Sequence, residues 1–476
     1  MQNLFNKLKL FFIQKPAIWL LGVYFLIRIF SLITYHHPLP NQVVTCFLII
    51  LFCFIAFKNF TQAWTILITE LLLNGAGHFL EFQGLIIRTW LLGILAITWL
   101  IQKIKKQKIE IKLPKPILIS LSISGIIIIL SILLGIIHEH GLKLVLQDAI
   151  LYFFLLLFLP ALEQEDKINK NFFINLIKTF IIGTAIFSLI SFIIYSSHLG
   201  NLPDFYYHWF RNIASGKITD LGNNFFRIVL PEQLFIIPLI LILTAQLIQN
   251  TKNKLAWSLL IALLIILNLN FSRIYFLALA IGSLILIYKN SFKSWIKTMF
   301  IIGILTITIF LSLNLIASRF TSLGLELWGI KISAIKTPEA DLSGAIRMAM
   351  LPDIFNTIKT HPYFGSGLAT TVSYPDPLTH EIVSRTQFDW GYLEMIAELG
   401  FIGTAIFIGT IGIILYYLFK LTYFKNQSTK NPFLQGLLAG AISLFIINIT
   451  TPALFQGFGI LYFVFILVMI KKYKYN

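Results

Sequence analysis

Apolar runs of about twenty residues recur from one end of the chain to the other, and they leave few folds open. Stretches such as PILISLSISGIIIILSILLGII and FIIGILTITIFLSLNLIAS are continuous rather than alternating. In hydrocarbon every backbone N–H and C=O must be paired internally, so only helices and closed barrels span a bilayer. Barrel strands would show ~10-residue alternating segments, which these runs are not. With 57% hydrophobic residues and a mean hydropathy of +0.84, the chain reads as an all-α polytopic membrane protein. Residues 1–476 form a single membrane domain, with no stretch left over for a separate soluble unit.

Spans are expected near residues 17–35, 42–57, 60–73, 84–101, 116–137, 145–162, 172–195, 228–250, 255–270, 273–288, 297–317, 390–418, 433–450 and 454–470. That is about 12–14 transmembrane helices. The formal net charge of +17 suggests an anionic partner until the lysines are sorted by side. Lys7, Lys9 and Lys15, then Lys103, Lys105, Lys106 and Lys108, Lys252 and Lys254, Lys289 and Lys293, Lys420 and Lys425, and Lys471, Lys472 and Lys474 fall on alternate connections. Positive-inside ordering accounts for them, places both termini in the cytoplasm and removes the case for a nucleic-acid partner. The basic, then apolar, N-terminus lacks a small-residue cleavage site, so it reads as an uncleaved first span. Cys46 and Cys53 sit in the second span with no nearby histidines and read as buried thiols rather than a disulfide or metal pair.

With this topology two outward connections are long, 196–226 and 318–389, and the second holds most of the polar chemistry. Within it Ile346, Met350, Ile354 and Ile358 recur every four residues, with Leu351 and Phe355 beside them, which predicts an amphipathic helix over 342–360. His361-Pro362 ends it, and Gly365 and Gly367 free the backbone to turn sharply or approach a ligand closely. Three arginines are expected on the same outer face, against the positive-inside trend: Arg227 at the start of a span, Arg273 at the end of another and Arg347 in the amphipathic helix. A single arginine at a helix end snorkels to headgroups. Three together suit an anion such as a lipid pyrophosphate, which a guanidinium grips through two oxygens at once.

These arginines and this loop resemble the O-antigen ligase and O-antigen polymerase family of bacterial membrane glycosyltransferases. The matching pieces are SRIYFLALAIG at Arg273, the run from Arg347 to His361-Pro362 and Phe364-Gly365-Ser366-Gly367, and GYLEMIAELGFIG. They cover roughly the C-terminal 40% of the chain. The resemblance implies a metal-independent, inverting transfer of a glycan from an undecaprenyl-pyrophosphate-linked oligosaccharide to a glycan or lipid acceptor, on the outer face of the bacterial cytoplasmic membrane. No cofactor is implied. Ligases of the family carry a histidine eleven residues before a glycine, with another glycine three later. Counting back from Gly400 and Gly403 reaches Asp389, not a histidine, which resembles the polymerase branch. Asp389 is therefore the candidate base, with His361 and His380 as substitutes. Arg227, Arg273 and Arg347 would hold the pyrophosphate, and Tyr374 and Arg385 the sugar.

Glu70, Arg28, Arg88, Asp148, Glu232, Glu394 and Glu398 fall in or beside apolar spans, where such groups pair or face a cavity. His36, His37, His138 and His140 read as outward loop residues. His-Glu-His at 138–140 lacks a third ligand in sequence, so no metal is assigned. No Walker-type loop or internal repeat is visible, which leaves ATP-driven transport without support. The alternatives are a ligase acting on lipid A-core, a lipid-linked oligosaccharide flippase, and a non-catalytic scaffold. A flippase would place its polar groups near the bilayer midplane rather than in one long outer loop. A scaffold gives no reason for three outward arginines.

Overall fold

The computed structural model describes residues 16–106, 112–167, 169–199, 202–337, 342–377, 379–424 and 431–475. Lys7, Lys9, Lys15, Lys108 and Lys425 lie outside the described residues, as do residues 200–201, 338–341 and 378 of the two long connections. Every expected span is helical over most of its length. Among the described residues nine helices are long and apolar enough to cross a membrane. Phe60–Leu73, Lys254–Asn270, Arg273–Ile285 and Pro432–Ile447 are shorter apolar helices. The protein is a multi-pass membrane protein of the all-α class, with short two-stranded hairpins outside its long helices.

Burial orders these helices. Pro231–Gln249 is 83% buried and central, whereas Pro38–Lys58 is 17% buried and peripheral, with Phe47 and Phe54 more than 60% exposed. Large apolar side chains on the outside are what a lipid solvent permits. The central helix packs most extensively on Pro432–Ile447. Small residues four apart permit this contact: a Cβ at Gly436 would stand 2.4 Å from Ile242 Cα, and one at Gly440 2.9 Å from Pro238 Cα. Inside the bundle Arg28 and Glu232 stand 3.9 Å apart and are nearly fully buried. The Arg28 guanidinium also covers the Tyr24 ring at 3.4 Å and donates to Leu73 O at 3.0 Å. Arg88 donates to the carbonyls of Gly75 and Gly77. Both cysteines are free.

Three features depart from the expected layout. First, the span expected from residue 228 begins later. Phe226–Val229 is a β-strand paired antiparallel with Lys217–Asp220, and helix resumes at Ile236 after the 3-10 turn Pro231–Phe235. Pro231 supplies no N–H to continue a helix backwards, and the Phe-Arg-Ile-Val run suits a strand. Second, the 318–389 connection holds more than the amphipathic helix Leu342–Thr360. It also contains the helix Leu325–Lys336 and a hairpin of Val372–Pro375 with Ile382–Arg385. Met350, Ile354 and Ile358 of the amphipathic helix, Val372 and Tyr374 of the hairpin, and Phe388 and Ala397 form a separate small core, with Ile346 against it. Each fully buried aliphatic side chain there contributes about 2 kcal/mol. Pro352 lies on the exposed side and the helix runs through it, while Phe355 is 54% exposed.

Third, the helix Gly391–Tyr423 is broken at Gly400, whose φ of 70° and ψ of 178° no regular helix contains. The segment after His361-Pro362 fills this break. Ser366 N and Gly367 N donate to Ala397 O and Glu398 O at 2.8 and 3.2 Å, and Phe401 N and Ile402 N donate to Pro362 O and Tyr363 O at 2.8 and 3.1 Å. The backbone groups freed by the break are thus paired again, as they must be away from water. Gly365 and Gly367 adopt φ of 73° and 99°, and a Cβ at Gly367 would stand 2.0 Å from Gly135 N. The glycines of HPYFGSG serve a splice between two helices.

Candidate active site

The strand Phe226–Val229 carries Arg227 directly opposite Thr219, so Arg227, Thr219 and, two residues earlier, Lys217 project from one face of the hairpin. Arg227 Nε donates to Asn270 O at 2.6 Å. Asn270 ends the helix Lys254–Asn270, Phe271 takes the left-handed φ of 44°, and Arg273 opens the next helix. A phenylalanine in that region costs about 1–2 kcal/mol. Its ring is held in place by Phe310 and Trp328, each at 5.1 Å, and Phe225 at 6.2 Å. Arg273 follows three residues after the carbonyl that Arg227 binds.

Lys217 feels the charges of Arg227, Asp389, Arg211 and Arg385. Desolvation first, and then repulsion from Arg227, Arg211 and Arg385, hold its ammonium below the usual lysine pKa, with Asp389 acting in the opposite sense. One carboxylate, Asp389, thus acts on Lys217 alongside three arginines: Arg227 of its own hairpin, Arg385 of the 372–385 hairpin and Arg211 of the helix Leu202–Asn212. The Arg385 guanidinium lies over the Tyr374 ring at 5.6 Å. Burial pushes the Tyr374 phenol up, and Asp389 and Asp376 act on it as well. Arg347 joins through the backbone: Trp390 Nε1, next to Asp389, donates to Arg347 O at 3.0 Å.

Several buried polar atoms of this region have no hydrogen-bond partner: Thr219 Oγ1, Asn270 Oδ1, Arg347 Nε and Tyr374 Oη. Buried donors and acceptors are paired in nearly all settled interiors.

Of the eight residues expected from sequence, Arg227, Tyr374, Arg385 and Asp389 are related through Lys217 and Tyr374, Arg347 joins them through Trp390, and Arg273 opens the helix that follows the Asn270 carbonyl bound by Arg227. The two histidines stand elsewhere. His380 is exposed in the turn between the strands of its hairpin, with φ of 59°. The His361 ring lies 4.6 Å from that of His138, which in turn is 6.0 Å from that of His140. His138 Nδ1 and His140 Nδ1 meet Ser366 O and Leu368 O at 2.7 and 2.9 Å, so these imidazoles fasten the HPYFGSG splice to the end of the helix Lys115–Ile137. Burial, then His138 and His140, hold the His361 imidazole below its usual pKa. Although His361 supplies a third imidazole beside the His-Glu-His pair, no group of three potential ligands among the described residues is arranged to hold a metal ion.

Lys217 and Arg211 were not singled out from sequence. As basic residues in an outward connection they carry no spacing signal; the hairpin pairing places Lys217 on the same face as Arg227, and Arg211, from the helix Leu202–Asn212, acts on Lys217.

No curated protein and no solved structure matches the chain. Residues 258–408 match the family model described as O-antigen ligase. This segment contains Arg273, Arg347, Tyr374, Arg385 and Asp389, and leaves Arg227 outside. Over residues 258–408 the chain is therefore similar to the O-antigen ligase family.

Proposed function

We propose that the protein transfers a glycan from an undecaprenyl-pyrophosphate-linked donor on the outer face of the cytoplasmic membrane, and that it joins repeat units into a polymer. The observation that carries this reading is the carboxylate of Asp389, which acts on Lys217 together with the cations Arg227, Arg211 and Arg385. Glycosyl transfer from a lipid pyrophosphate requires both. Asp389 accepts the proton of the acceptor hydroxyl as its oxygen attacks the anomeric carbon, from the side opposite the leaving group, which inverts the configuration. The pyrophosphate departs with the bonding electron pair, and Arg227, Arg273 and Arg347, with Lys217, stabilise the charge it gathers. Tyr374 and Arg385 flank the carboxylate where a sugar ring would lie. The cations do the work a metal does in other transferases, so the reaction proceeds in EDTA.

The polyprenyl tail lies in a groove between spans, and both termini are cytoplasmic. Lys289, which bonds Tyr423 O at the end of the Gly391–Tyr423 helix remote from Asp389, supports that orientation under the positive-inside rule. The family's description as O-antigen ligase favours a second reading, transfer of the finished glycan to lipid A-core or another acceptor. Purified protein offered the lipid-pyrophosphate oligosaccharide alone separates the two. A ladder of longer lipid-linked chains supports the polymerase. Product formed only when a second acceptor is added makes the protein a ligase.

A further inference from the structure

Behind Asp389 lies a buried group of acids that the transfer chemistry above leaves unused. Glu394 and Glu398 are four residues apart on the helix Gly391–Tyr423 and are 3% and 2% exposed. Facing them from the helix Leu142–Phe153 are Asp148 and Tyr152, also four apart. Together with Gln387, Gln456, Leu151 and Phe455 these four side chains line one small cavity.

Three carboxyl groups share this cavity, and the backbone N–H groups that serve them are few. Phe388 N donates to Glu394 Oε2 at 2.7 Å. The N–H of Ala369, held at φ of 60°, serves both Asp148 and Glu398. Tyr152 is 3% exposed and its Oη has no hydrogen-bond partner. The charged groups that act on Glu394 are Glu398, Asp148 and Asp389, and those that act on Tyr152 are Glu398, Glu394 and Asp148. The charges that act on Glu394 and Tyr152 among the described residues are thus all acids. No three of the described acids or histidines are arranged to hold a metal ion. A proton on one carboxyl group removes a negative charge from this cluster and adds an O–H that a neighbouring carboxylate can accept.

We infer that Asp148, Glu394 and Glu398, with Tyr152, form a proton-holding site that receives the proton Asp389 takes from the acceptor hydroxyl. The inference rests on Asp389 being the base. Glu394 is the first link, because its carboxylate reaches back to the peptide N–H of Phe388, next to Asp389. In each turnover the acceptor O–H bond breaks as its oxygen bonds the anomeric carbon. The proton passes to Asp389 and then to Glu394, which shares it with Glu398 and Asp148. Asp389 returns to its carboxylate form, and the cluster later releases the proton to water. These acids act through Asp389 and are positioning residues rather than catalytic ones.

The test uses the full-length protein in lipid nanodiscs and reads two quantities. Infrared spectra of the wild type at neutral pH should show a carboxylic-acid C=O band that weakens in Glu394→Gln, Glu398→Gln and Asp148→Asn. Glu394→Gln, which keeps an acceptor for Phe388 N–H, should lower kcat about tenfold with KM unchanged and move the pH profile of kcat. If Glu394→Gln does not fold, Asp148→Asn on the facing helix carries the same comparison. A wild type without the band at neutral pH overturns the inference, as does a band that arises only after chelation, which would reveal a bound cation. Wild-type kcat and pH profile in a folded Glu394→Gln also overturn it. A fully active Asp389→Asn would instead remove the base, while the infrared band still reports on the cluster itself.

Discussion

Replacing Gly367 by alanine tests whether the HPYFGSG segment is the splice that holds the site's helix in place. The new Cβ would stand 2.0 Å from Gly135 N and 2.5 Å from Gly135 Cα, both backbone atoms of the helix Lys115–Ile137, at a φ of +99°. An L-residue forced to positive φ costs about 1–2 kcal/mol. Prising the segment off the neighbouring helix costs about 1–3 kcal/mol more. Doing so also strains the hydrogen bonds from Ser366 N and Gly367 N to Ala397 O and Glu398 O, each worth about 1 kcal/mol. The expected loss is about 5 kcal/mol, large against the total stability of a folded domain. Unfolding in mixed micelles with rising SDS measures it, with Gly409→Ala as control. Gly409 has no atom within 4 Å of the added methyl, so alanine there should gain up to about 1 kcal/mol. If Gly367→Ala unfolds together with wild type, the splice carries none of the stability assigned to it.

Arg273→Ala and Arg347→Ala should each abolish transfer while leaving the protein inserted and folded, judged by expression and gel filtration; the lysine variants should also be impaired, because a point charge loses the two-oxygen grip. Full activity in both alanine variants would refute the anion site. Lys217→Met should raise the KM for the lipid-pyrophosphate donor and flatten its dependence on ionic strength, measured at two salt concentrations. His361 has a folded-state pKa below its ordinary 6.5, so between the two values the unfolded chain binds the extra proton. Stability is then full above about 6.5 and declines as the pH falls towards the folded value. His361→Gln should remove that decline, and an unchanged pH dependence of unfolding would contradict the assignment.

The membrane architecture was legible because run length and apolarity are properties of the sequence alone, and each run from Pro16–Ile33 to Gly457–Tyr475 is helical. The amphipathic helix was legible for the same reason: Met350, Ile354 and Ile358 recur at helical spacing and are buried. Arg227 was misplaced because a short strand before Pro231 looks like the start of the apolar run that follows. Only its cross-strand partner Thr219 reveals it. The break at Gly400 was invisible because the apolar pattern continues across it, and the groups that compensate it lie at residues 362–367. Asp389 was found by counting back from Gly400 and Gly403. The acids behind it were seen one by one, but Asp148 and Glu398 are 250 positions apart in sequence. Nothing in the sequence places them in one cavity.

The most direct test of the central claim follows a labelled undecaprenyl-pyrophosphate oligosaccharide through a single turnover in nanodiscs, with EDTA present, for wild type and Asp389→Asn side by side. The account predicts glycan transfer by the wild type. It predicts donor binding by Asp389→Asn with product formed at least about a hundredfold more slowly. Transfer by Asp389→Asn at the wild-type rate would contradict the account, as would a wild type that transfers nothing to any acceptor and only moves the donor across the bilayer.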